Sequence, residues 1–414
     1  MPDTGWNDDA LVRRIDMVDF LKEAEGIEQE VIGWRRHVHQ YPELLMDLPE
    51  TAAFVERELK NMGYEPEYIC QSGIVAVLDS QKPGKTLLLR ADMDALPIGE
   101  ESGLEYASKH PGISHACGHD THIAMLLGAA KLLMKHKDLL RGKVKFMFQP
   151  GEEGGGGART MVEAGVLRSP DVDACMAFHQ VVARDHVPTG IIGYTRGPMM
   201  ASADMFQVRG IGQGGHGARP YKAMNPIPAA ALAVSALQNI VSSEIATAKQ
   251  AVVSVCSIHA GDAFNVIPGE VKFGGTVRCL DPGVRDELES KIRRTVEGAA
   301  QALGCRAEIE YTRGVPALYN DPGVTQNLEK AMVKALGQSH VKPLDGPVMG
   351  SEDFSNLVSA VGKGAFFRLG IGWPDGTEYT ALHNGAFNFN DEAIPYGIAV
   401  MVQYILDRHS KDAR

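Results

Sequence analysis

The order of strand and helix patterns along the 414 residues is the feature that most constrains the fold. In the first half, short apolar runs that end in charge, such as KTLLLRADMD, alternate with segments whose apolar residues recur at helical spacing. Repeated alternation of this kind is typical of a largely parallel sheet with helices on both faces. We therefore predict an α/β fold with a mixed, largely parallel sheet.

A different order of elements begins near residue 200. From ADMFQVRG to CRAEIEYTRG the pattern reads strand, helix, strand, strand, helix, strand, which is the split-βαβ, ferredoxin-like arrangement. The earlier pattern then resumes with a helix at 323–337, the strand GAFFRLG and a terminal helix at 391–408. The prediction is an α/β domain formed by residues 1–200 and 314–414, interrupted by an inserted α+β domain at 201–313.

Composition excludes several classes of partner. The 41 basic and 52 acidic residues give a formal net charge of −11, which argues against nucleic acid. No apolar run approaches the length of a membrane span, and the first twenty residues lack the basic and apolar regions of a signal peptide.

The six cysteines have no framework spacing, so we expect free thiols in a reducing cytoplasm.

The stretch HACGHDTHIAM, residues 115–125, stands where an apolar helix begins. Gly118 permits a sharp backbone turn, so Cys117 and His119 can converge on one centre or on two adjacent ions. Asp120 or Thr121 is expected to cap the helix. Taken alone, the stretch fits a polar helix start better than it fits a metal site.

Further polar residues follow other predicted strands. Glu152 and Glu153 follow KVKFMFQP after one glycine, His179 closes DVDACMAFH, and His383 lies in a loop before the last helix. In an open α/β sheet these strand ends meet at one edge. Two adjacent carboxylates would repel each other unless one bound a cation and the other exchanged a proton. With the Cys-x-His pair, the set predicts a site for a borderline-soft metal ion.

Two other regions carry candidate residues. Asp92 and Asp94 leave another strand end, where Asp94 could accept the second ring N–H of a ligand histidine and Asp92 suits a turn or cap. In the inserted domain, His216 lies in a glycine-rich loop and Asn265 precedes VIP, while Arg278 suits bidentate capture of a carboxylate. Spacing alone favours turn and strand-edge roles for these three residues.

Taken together, these motifs resemble those of the dinuclear-metal aminoacylase and carboxypeptidase G-like amidohydrolases, and most closely the hippurate hydrolase and indoleacetyl-amino-acid hydrolase branch. The resemblance runs from about Trp34 to the last helix. It implies a zinc-peptidase-like catalytic domain with an inserted lid and dimerisation domain. The motifs that carry it are RRHVHQYPEL, RADMDALP, HACGHDTHIAMLLGAA, FQPGEEG, GGHGARP, FNVIP, GTVR and MGSEDF.

The resemblance also implies an activity, cofactors and a partner. The activity is hydrolysis of N-acyl amino acids with two divalent ions, which could be zinc, manganese, cobalt or nickel, and Cys117 would bridge them. Glu152 would be the general base, and His216 would reach the active site of the partner subunit in a homodimer. The implied metal ligands are Cys117, His119, Glu153, His179 and His383, with Asp94 in the catalytic set and Asn265 and Arg278 on the substrate carboxylate.

The chain departs from the family pattern at two places. After PEL the usual acidic pair is replaced by LLMDLPE, with Asp47 and Glu50 at altered spacing. At the end of the lid helix, Ser243 is followed by Glu244 where the family usually has arginine. The first change bears on packing near the site, and the second removes a positive charge from the lid.

Two rival interpretations belong to other mechanisms or classes. A thiol nucleophile, Cys117 activated by His119, leaves the acidic pair and the distant histidines without roles. A non-catalytic binding protein on the same fold has no need of Glu152. Among hydrolases, acetylated diaminopimelate and aminobenzoyl-glutamate are alternative substrates to hippurate-like compounds.

Overall fold

The computed structural model of the chain describes residues 8–181, 187–372 and 381–411. They form two compact units. The large unit contains the residues up to Gly197, Tyr319–Asp345 and the residues from Asn356 onward, and the small unit contains Pro198–Leu318 and Gly346–Ser355. The segment 346–355, predicted within the α/β domain, belongs to the small unit because Ala201 N donates to Gly350 O at 2.9 Å and Arg278 bonds to Ser351.

Eleven α-helices occur in the described residues. None of them is long and apolar enough to cross a membrane. They are α1 (Asp8–Asp16), α2 (Phe20–Glu25), α3 (Glu28–Gln40), α4 (Pro49–Asn61), α5 (His119–Lys135), α6 (Gly157–Glu163), α7 (Pro226–Asn239), α8 (Pro282–Ala302), α9 (Pro322–Leu336), α10 (Ser355–Val361) and α11 (Ile394–Lys411).

Sixteen β-strands occur in the same residues. They are β1 (Glu67–Tyr68), β2 (Ile74–Asp79), β3 (Thr86–Asp92), β4 (Lys143–Gln149), β5 (Ala174–Val181), β6 (Ile192–Tyr194), β7 (Gly197–Met200), β8 (Ser202–Ile211), β9 (Gly215–His216), β10 (Ala251–His259), β11 (Val266–Ile267), β12 (Glu270–Cys279), β13 (Arg306–Arg313), β14 (Leu318–Asn320), β15 (Val341–Pro343) and β16 (Gly364–Gly370).

The large unit is built on an eight-stranded sheet in the order β1-β2-β4-β3-β5-β16-β6-β15. Its centre, β4-β3-β5-β16, is parallel, and antiparallel pairing occurs between β1 and β2, β2 and β4, and β16 and β6. Every residue of β3 and β5 is buried, as expected for strands covered on both faces. The predicted mixed, largely parallel α/β fold is confirmed.

Apolar side chains from the sheet and from helices α3, α5 and α11 share one core. Helix α5 is buried almost all round, which explains its nearly continuous apolar sequence. The apolar spacing of residues 16–38 predicts a single helix, but the structure has two helices there, α2 and α3, because the chain breaks at Gly26, the C-cap of α2. The short strands β1, β2, β6 and β15 were not predicted, since runs of two to six residues carry little periodicity.

The small unit contains a four-stranded sheet in the order β10-β12-β8-β13, with all three pairs antiparallel. This is the predicted ferredoxin-like order. Helices α7 and α8 and the inward side chains of the sheet form a separate core that includes Phe206, Phe273 and Leu288. Burial alternates along β8, so Met205, Gln207 and Arg209 lie exposed on the opposite face of the sheet.

Candidate metal centre

The parallel strands of the large unit bring several polar residues to one edge of the sheet. Strands β4, β3 and β5 are neighbours, so their carboxyl ends lie side by side. Asp92 ends β3, Glu152 and Glu153 follow β4, and His179 lies near the end of β5. His179 does not close its strand as predicted, because β5 continues to Val181. Its pairing with β16 places it opposite Arg368.

Cys117 and His119 flank the turn that starts helix α5. Gly118 has φ +80° and occupies the N-cap position, so the helix begins at His119. The predicted cap at Asp120 or Thr121 is therefore wrong: both residues lie inside the first turn. Cys117 Sγ is 3.3 Å from His179 Nε2, and the potential ligand atoms of Cys117, His119 and His179 lie within 4.8 Å of one another.

A second group of ligand atoms shares the same cysteine. Potential ligand atoms of Cys117, Glu153 and His383 also lie within 4.8 Å of one another, and His383 Nε2 is 3.1 Å from Glu153 Oε1. Burial raises the pKa of Glu153, but the hydrogen bond from His383 and the charges of His119 and His383 together outweigh burial, so the pKa is lowered. The structure thus brings together all five residues that were predicted as ligands, with Cys117 common to both groups.

Hydrogen bonds at the far ring nitrogens orient two of these histidines. His119 Nδ1 lies 2.8 Å from the carbonyl oxygen of Asp94, and His179 Nδ1 lies 2.8 Å from that of Gln180. A carbonyl only accepts, so each Nδ1 carries the proton and each Nε2 keeps a lone pair for an ion. His119 Nε2 is buried without a hydrogen-bond partner among the described residues, as a vacant ligand atom would be.

In the metal-free chain, burial and the charged neighbours set the pKa of each of these groups differently. Burial lowers the pKa of His179 well below 6.5, so its ring is neutral, as a ligand must be. Burial lowers the pKa of His119 too, but Asp92, Cys117 and Asp94 together outweigh burial and the pKa is raised, so a bound cation has to displace a proton from this ring. Burial raises the pKa of Cys117, which disfavours a free thiolate nucleophile. Sulfur, imidazole and carboxylate donors together suit borderline-soft divalent ions.

Asp94 connects the ligand histidine to the acidic loop. Its carboxylate oxygens accept the backbone N–H groups of Glu152 and Glu153, each at 2.9 Å. His119 Nδ1 is 3.5 Å from the Asp94 carboxylate and 2.8 Å from the carbonyl. The ring N–H is therefore held by the main chain of Asp94 rather than by its side chain as predicted. The side chain instead fixes the loop that carries the acidic pair.

Asp92, His122 and Gln180 form a buried polar chain beneath the ligand groups. Asp92 forms an ion pair with Arg90 at 2.8 Å and contacts His122 Nδ1, and its predicted turn or cap role is not observed. Gln180 contacts His122 Nε2 through Oε1 and donates from Nε2 to the carbonyl of Cys117. Sequence reasoning missed Gln180; its signal was a polar residue directly after His179 inside an apolar strand.

The small unit holds the other three predicted site residues, and it places Arg278 apart from the other two. His216 pairs with Val266 across the short ladder of β9 and β11, and Gly217 N donates to Asn265 O at 2.8 Å, so His216 and Asn265 are close. The loop that carries His216 lies near the Glu270 end of β12, where Gly212 N donates to Gly269 O. Arg278 lies near the other end of this strand, eight residues from Glu270, a distance of about 26 Å along the strand. One copy of the unit therefore does not bring all three together.

Arg278 and Glu244 have partners within the small unit. Arg278 donates from Nε to Thr276 Oγ1 at 3.1 Å and from Nη1 to Ser351 Oγ at 2.8 Å, so its guanidinium plane is fixed. Glu244, which stands where the family usually has arginine, lies in a π-helical turn after α7. Both its carboxylate oxygens accept from Arg294, at 2.8 and 2.6 Å.

Comparisons with known proteins agree with this architecture. The profile of Peptidase family M20/M25/M40 matches residues 88–407. The chain is 42% identical over 302 residues to N-acyl-L-amino acid amidohydrolase of Geobacillus stearothermophilus, covering 72% of this chain and 80% of that protein. It is 38% identical over 371 residues to N-acetyl-L-cysteine deacetylase of Bacillus subtilis, covering 89% and 85%.

A solved structure is also similar over nearly the whole chain. The crystal structure of the Bacillus subtilis YXEP protein, described as a dinuclear metal binding peptidase from the M20 family, superposes with a TM-score of 0.80. Sequence identity is 32%, and the match covers 92% of this chain and 98% of that one. Sequence profile, relatives and fold agree, and the chain belongs to Peptidase family M20/M25/M40.

Proposed function

We propose that the chain hydrolyses the amide bond of N-acyl amino acids, releasing a carboxylic acid and a free amino acid, with two divalent metal ions bound at the candidate metal centre. The observation that carries the proposal is the position of Cys117, common to two groups of ligand atoms beside the Glu152–Glu153 loop. The named activities of the 42% and 38% identical relatives support the reaction, and the dinuclear neighbour supports two ions.

The ligand groups assign each residue a part in holding the ions. Cys117, His119 and His179 would hold one ion, and Cys117, Glu153 and His383 would hold the other, so Cys117 would be a ligand in both groups. Divalent ions at such a site polarise the scissile carbonyl and acidify a water molecule. The identity of the ions is left open among zinc, manganese, cobalt and nickel, since the donors suit all four.

Glu152 is the proposed general base. One of its carboxylate oxygens lies within 4.8 Å of potential ligand atoms of His119 and Glu153. Glu152 is therefore next to the proposed ion sites, but it belongs to neither of the ligand groups that contain Cys117. It would take a proton from the attacking water and deliver that proton to the leaving amine. Asp94 serves this step by holding the backbone N–H of Glu152 at 2.9 Å.

Replacing Glu152 by Gln tests the assignment. We expect kcat to fall by roughly 10²–10⁴-fold, because the amide cannot accept the proton, while bound metal per chain stays unchanged. The matched control is Glu163→Gln, an exposed glutamate on helix α6, which should leave kcat unaltered. The assay is release of free amino acid from acetyl, benzoyl and longer N-acyl substrates, with metal content by mass spectrometry. Full activity of E152Q would refute the base.

Metal removal separates this mechanism from a thiol nucleophile. Exhaustive chelation should abolish turnover, and adding back a divalent ion should restore it, because His119, His179 and Glu153 are without function when no ion is bound. Activity that survives complete removal of metal would overturn the dinuclear mechanism. It would favour Cys117 acting on the acyl group directly.

Arg278 and the loop pair His216 and Asn265 are the proposed substrate-binding residues of the small unit. The guanidinium of Arg278 is fixed by Thr276 and Ser351, which prepares it for the substrate carboxylate. His216 would stabilise the oxyanion that develops on the scissile carbonyl, a role that contributes about 3–4 kcal/mol in other enzymes. Asn265 would help to hold the carboxylate.

We infer a homodimer from the same residues. The loop of His216 lies near the Glu270 end of β12 and Arg278 lies near the other end, so two copies related by a twofold axis can combine the His216 of one with the Arg278 of the other. The surface also supports association, because Ile258 on the edge strand β10 is 52% exposed and Phe264 is fully exposed. Replacing Ile258 by Lys should shift the protein from dimer to monomer in light scattering.

Mixing two inactive variants tests whether His216 acts across the dimer. His216→Ala and Glu152→Gln are each expected to be inactive. If His216 serves the partner's site, random mixed dimers contain one intact site in half of the molecules, and about a quarter of wild-type activity returns. No recovery after verified subunit exchange would refute the trans arrangement. Each variant taken through the same exchange with itself is the control.

A cytoplasmic location is the remaining part of the proposal. All six cysteines are free, and four of them are buried, which suits a reducing compartment. Fractionation of cells that express the chain, with a periplasmic or extracellular enzyme as a marker, tests it.

A further inference from the structure

The segment Leu44–Met46 lies against the part of the large unit that carries the catalytic groups. Leu44 pairs with Ala95, and Ala95 N donates to Glu43 O at 2.8 Å, immediately after the aspartate that holds the acidic loop. Met46 packs on Gly151, the residue before Glu152: a Cβ added at Gly151 would lie 2.5 Å from Met46 Sδ. Leu45 therefore lies between Leu44, which pairs with the residue after Asp94, and Met46, which contacts the Gly151 end of the acidic loop.

Leu45 is held in a position that neither its backbone nor its side chain favours. Its φ is +55°, in the left-handed region that residues with a Cβ avoid, and its side chain is 46% exposed. Hydrogen bonds fix the chain around it: the Glu43 carboxylate accepts Thr51 N at 2.8 Å, and Leu48 N donates to Ser72 Oγ at 2.9 Å. Strain of this kind persists where the surroundings enforce it, and it concentrates at ligand sites.

The charges near Leu44–Met46 favour the acyl half of the substrate over the amino-acid half. Within residues 43–50 the ionisable side chains are all acidic, namely Glu43, the exposed Asp47 and the exposed Glu50. An amino-acid carboxylate would be repelled there, whereas an uncharged acyl chain would not. An apolar acyl chain would also remove the exposed surface of Leu45 from water, which is favourable.

We propose that Leu45 and Met46 form the apolar wall that receives the acyl group, and that the chain is selective for N-acyl amino acids with aromatic or medium-length aliphatic acyl groups over acetyl. This inference rests on the proposed function, because it assumes that the scissile amide lies at Glu152. The occupant is the uncharged acyl part of the substrate, and the amino acid lies elsewhere.

Acyl-chain selectivity in a pair of leucine variants tests the wall. The substrates are N-acetyl-, N-butanoyl-, N-octanoyl- and N-benzoyl-alanine, and the readout is kcat/KM for each. Wild type should favour the octanoyl and benzoyl compounds. Leu45→Asn should lower the ratio of octanoyl to acetyl by roughly tenfold, because the apolar contact is lost. Asn tolerates the left-handed backbone, so the loop keeps its conformation.

Leu303→Asn is the matched control, since Leu303 is 44% exposed and lies in the small unit. It should leave the octanoyl-to-acetyl ratio unchanged. Met46→Gln, which keeps length and removes apolar character, should lower the ratio in the same direction as Leu45→Asn. Equal ratios in wild type and both loop variants would overturn the acyl wall while amide hydrolysis stands. Hydrolysis of none of the compounds by wild type would instead overturn the proposed function.

Discussion

At the scale of single residues, Gly118 shows how closely the metal-site turn is packed. Gly118 lies between Cys117 and His119 and has a φ of +80°. A Cβ built on Gly118 would lie 2.2 Å from Gln180 Nε2. That amide donates to the carbonyl of Cys117 and so holds the same turn from the other side. The absence of a side chain at Gly118 therefore permits both the backbone turn and the hydrogen bond that secures it.

Alanine at Gly118 should combine two costs. The left-handed conformation costs about 1–2 kcal/mol for a residue with a Cβ, and displacing Gln180 adds about 1–3 kcal/mol of overpacking. Gly63→Ala is the control, because Gly63 has φ +87° but no atoms near its Cβ, and only the first cost applies. Urea unfolding compares the two, and metal titration should show weaker binding for G118A alone. Equal destabilisation would contradict the packing argument.

At the scale of elements, buried charges connect helix α3 to the first turn of α5. The guanidinium of Arg35 is 1% exposed; its Nε donates to Asp120 at 3.0 Å and its Nη1 to Asp391 at 2.6 Å. His39, one turn further along α3, contacts the same Asp120 oxygen at 2.8 Å through Nδ1. Because Asp120 follows His119 directly, this contact between helices also fixes the helix turn that carries a proposed ligand.

Neighbouring arginines on α3 provide a matched test of that contact. Arg35→Met should cost about 3–5 kcal/mol, because the fully buried Asp120 loses its guanidinium partner and keeps only the contact with His39. Arg36→Met removes a side chain that is 45% exposed and pairs with Asp391 at 2.8 Å, and it should cost about 1 kcal/mol or less. Denaturant unfolding measures both values. Similar losses for the two variants would show that burial does not strengthen the pair.

The histidine of this contact predicts a pH dependence of stability. Burial lowers the pKa of His39, but Asp120 and then Glu100 outweigh burial, so the folded-state pKa lies above 6.5. A raised pKa means that the stabilisation is complete below pH 6.5 and is lost as the pH rises through the folded-state value. The unfolding free energy of wild type should therefore fall more between pH 6 and pH 9 than that of His39→Gln. Parallel curves would exclude this role for His39.

At the scale of the whole molecule, the proposed metal ligands and the proposed substrate-binding residues belong to different units. All five ligands are in the large unit, and His216, Asn265 and Arg278 are in the small one. The main chain enters and leaves the small unit at adjacent points, since Ala203 N donates to Val315 O at 3.0 Å. Each unit also has its own apolar core.

This division predicts that the large unit folds and binds metal alone. A chain in which residues 204–314 are replaced by a short Gly-Ser linker, and 346–355 by Gly and Ser, should unfold cooperatively and bind two ions. It should hydrolyse no N-acyl amino acid, because the carboxylate-binding residues are gone. Circular dichroism and metal analysis provide the measurements, with the same deletion carrying His119→Ala as the control. A folded deletion chain without bound metal would refute the assignment of the ligands.

Much of this organisation follows from the sequence itself. The α/β class, the ferredoxin-like order of the small unit and the family were predicted correctly, because hydrophobic periodicity and motifs such as HACGHDTHIAM are local properties of the chain. The candidate ligands were also found in this way, since the carboxyl ends of parallel strands meet at one edge whatever the details of packing.

Only the tertiary structure decided how those residues are held. The partner of the His119 ring is the carbonyl of Asp94 rather than its carboxylate, and Gln180 reaches the carbonyl of Cys117 from another strand. The strained Leu45 beside the acidic loop has no sequence pattern that marks it. These contacts join residues far apart in the chain at distances of a few ångströms. They depend on exact packing, which local periodicity and spacing do not specify.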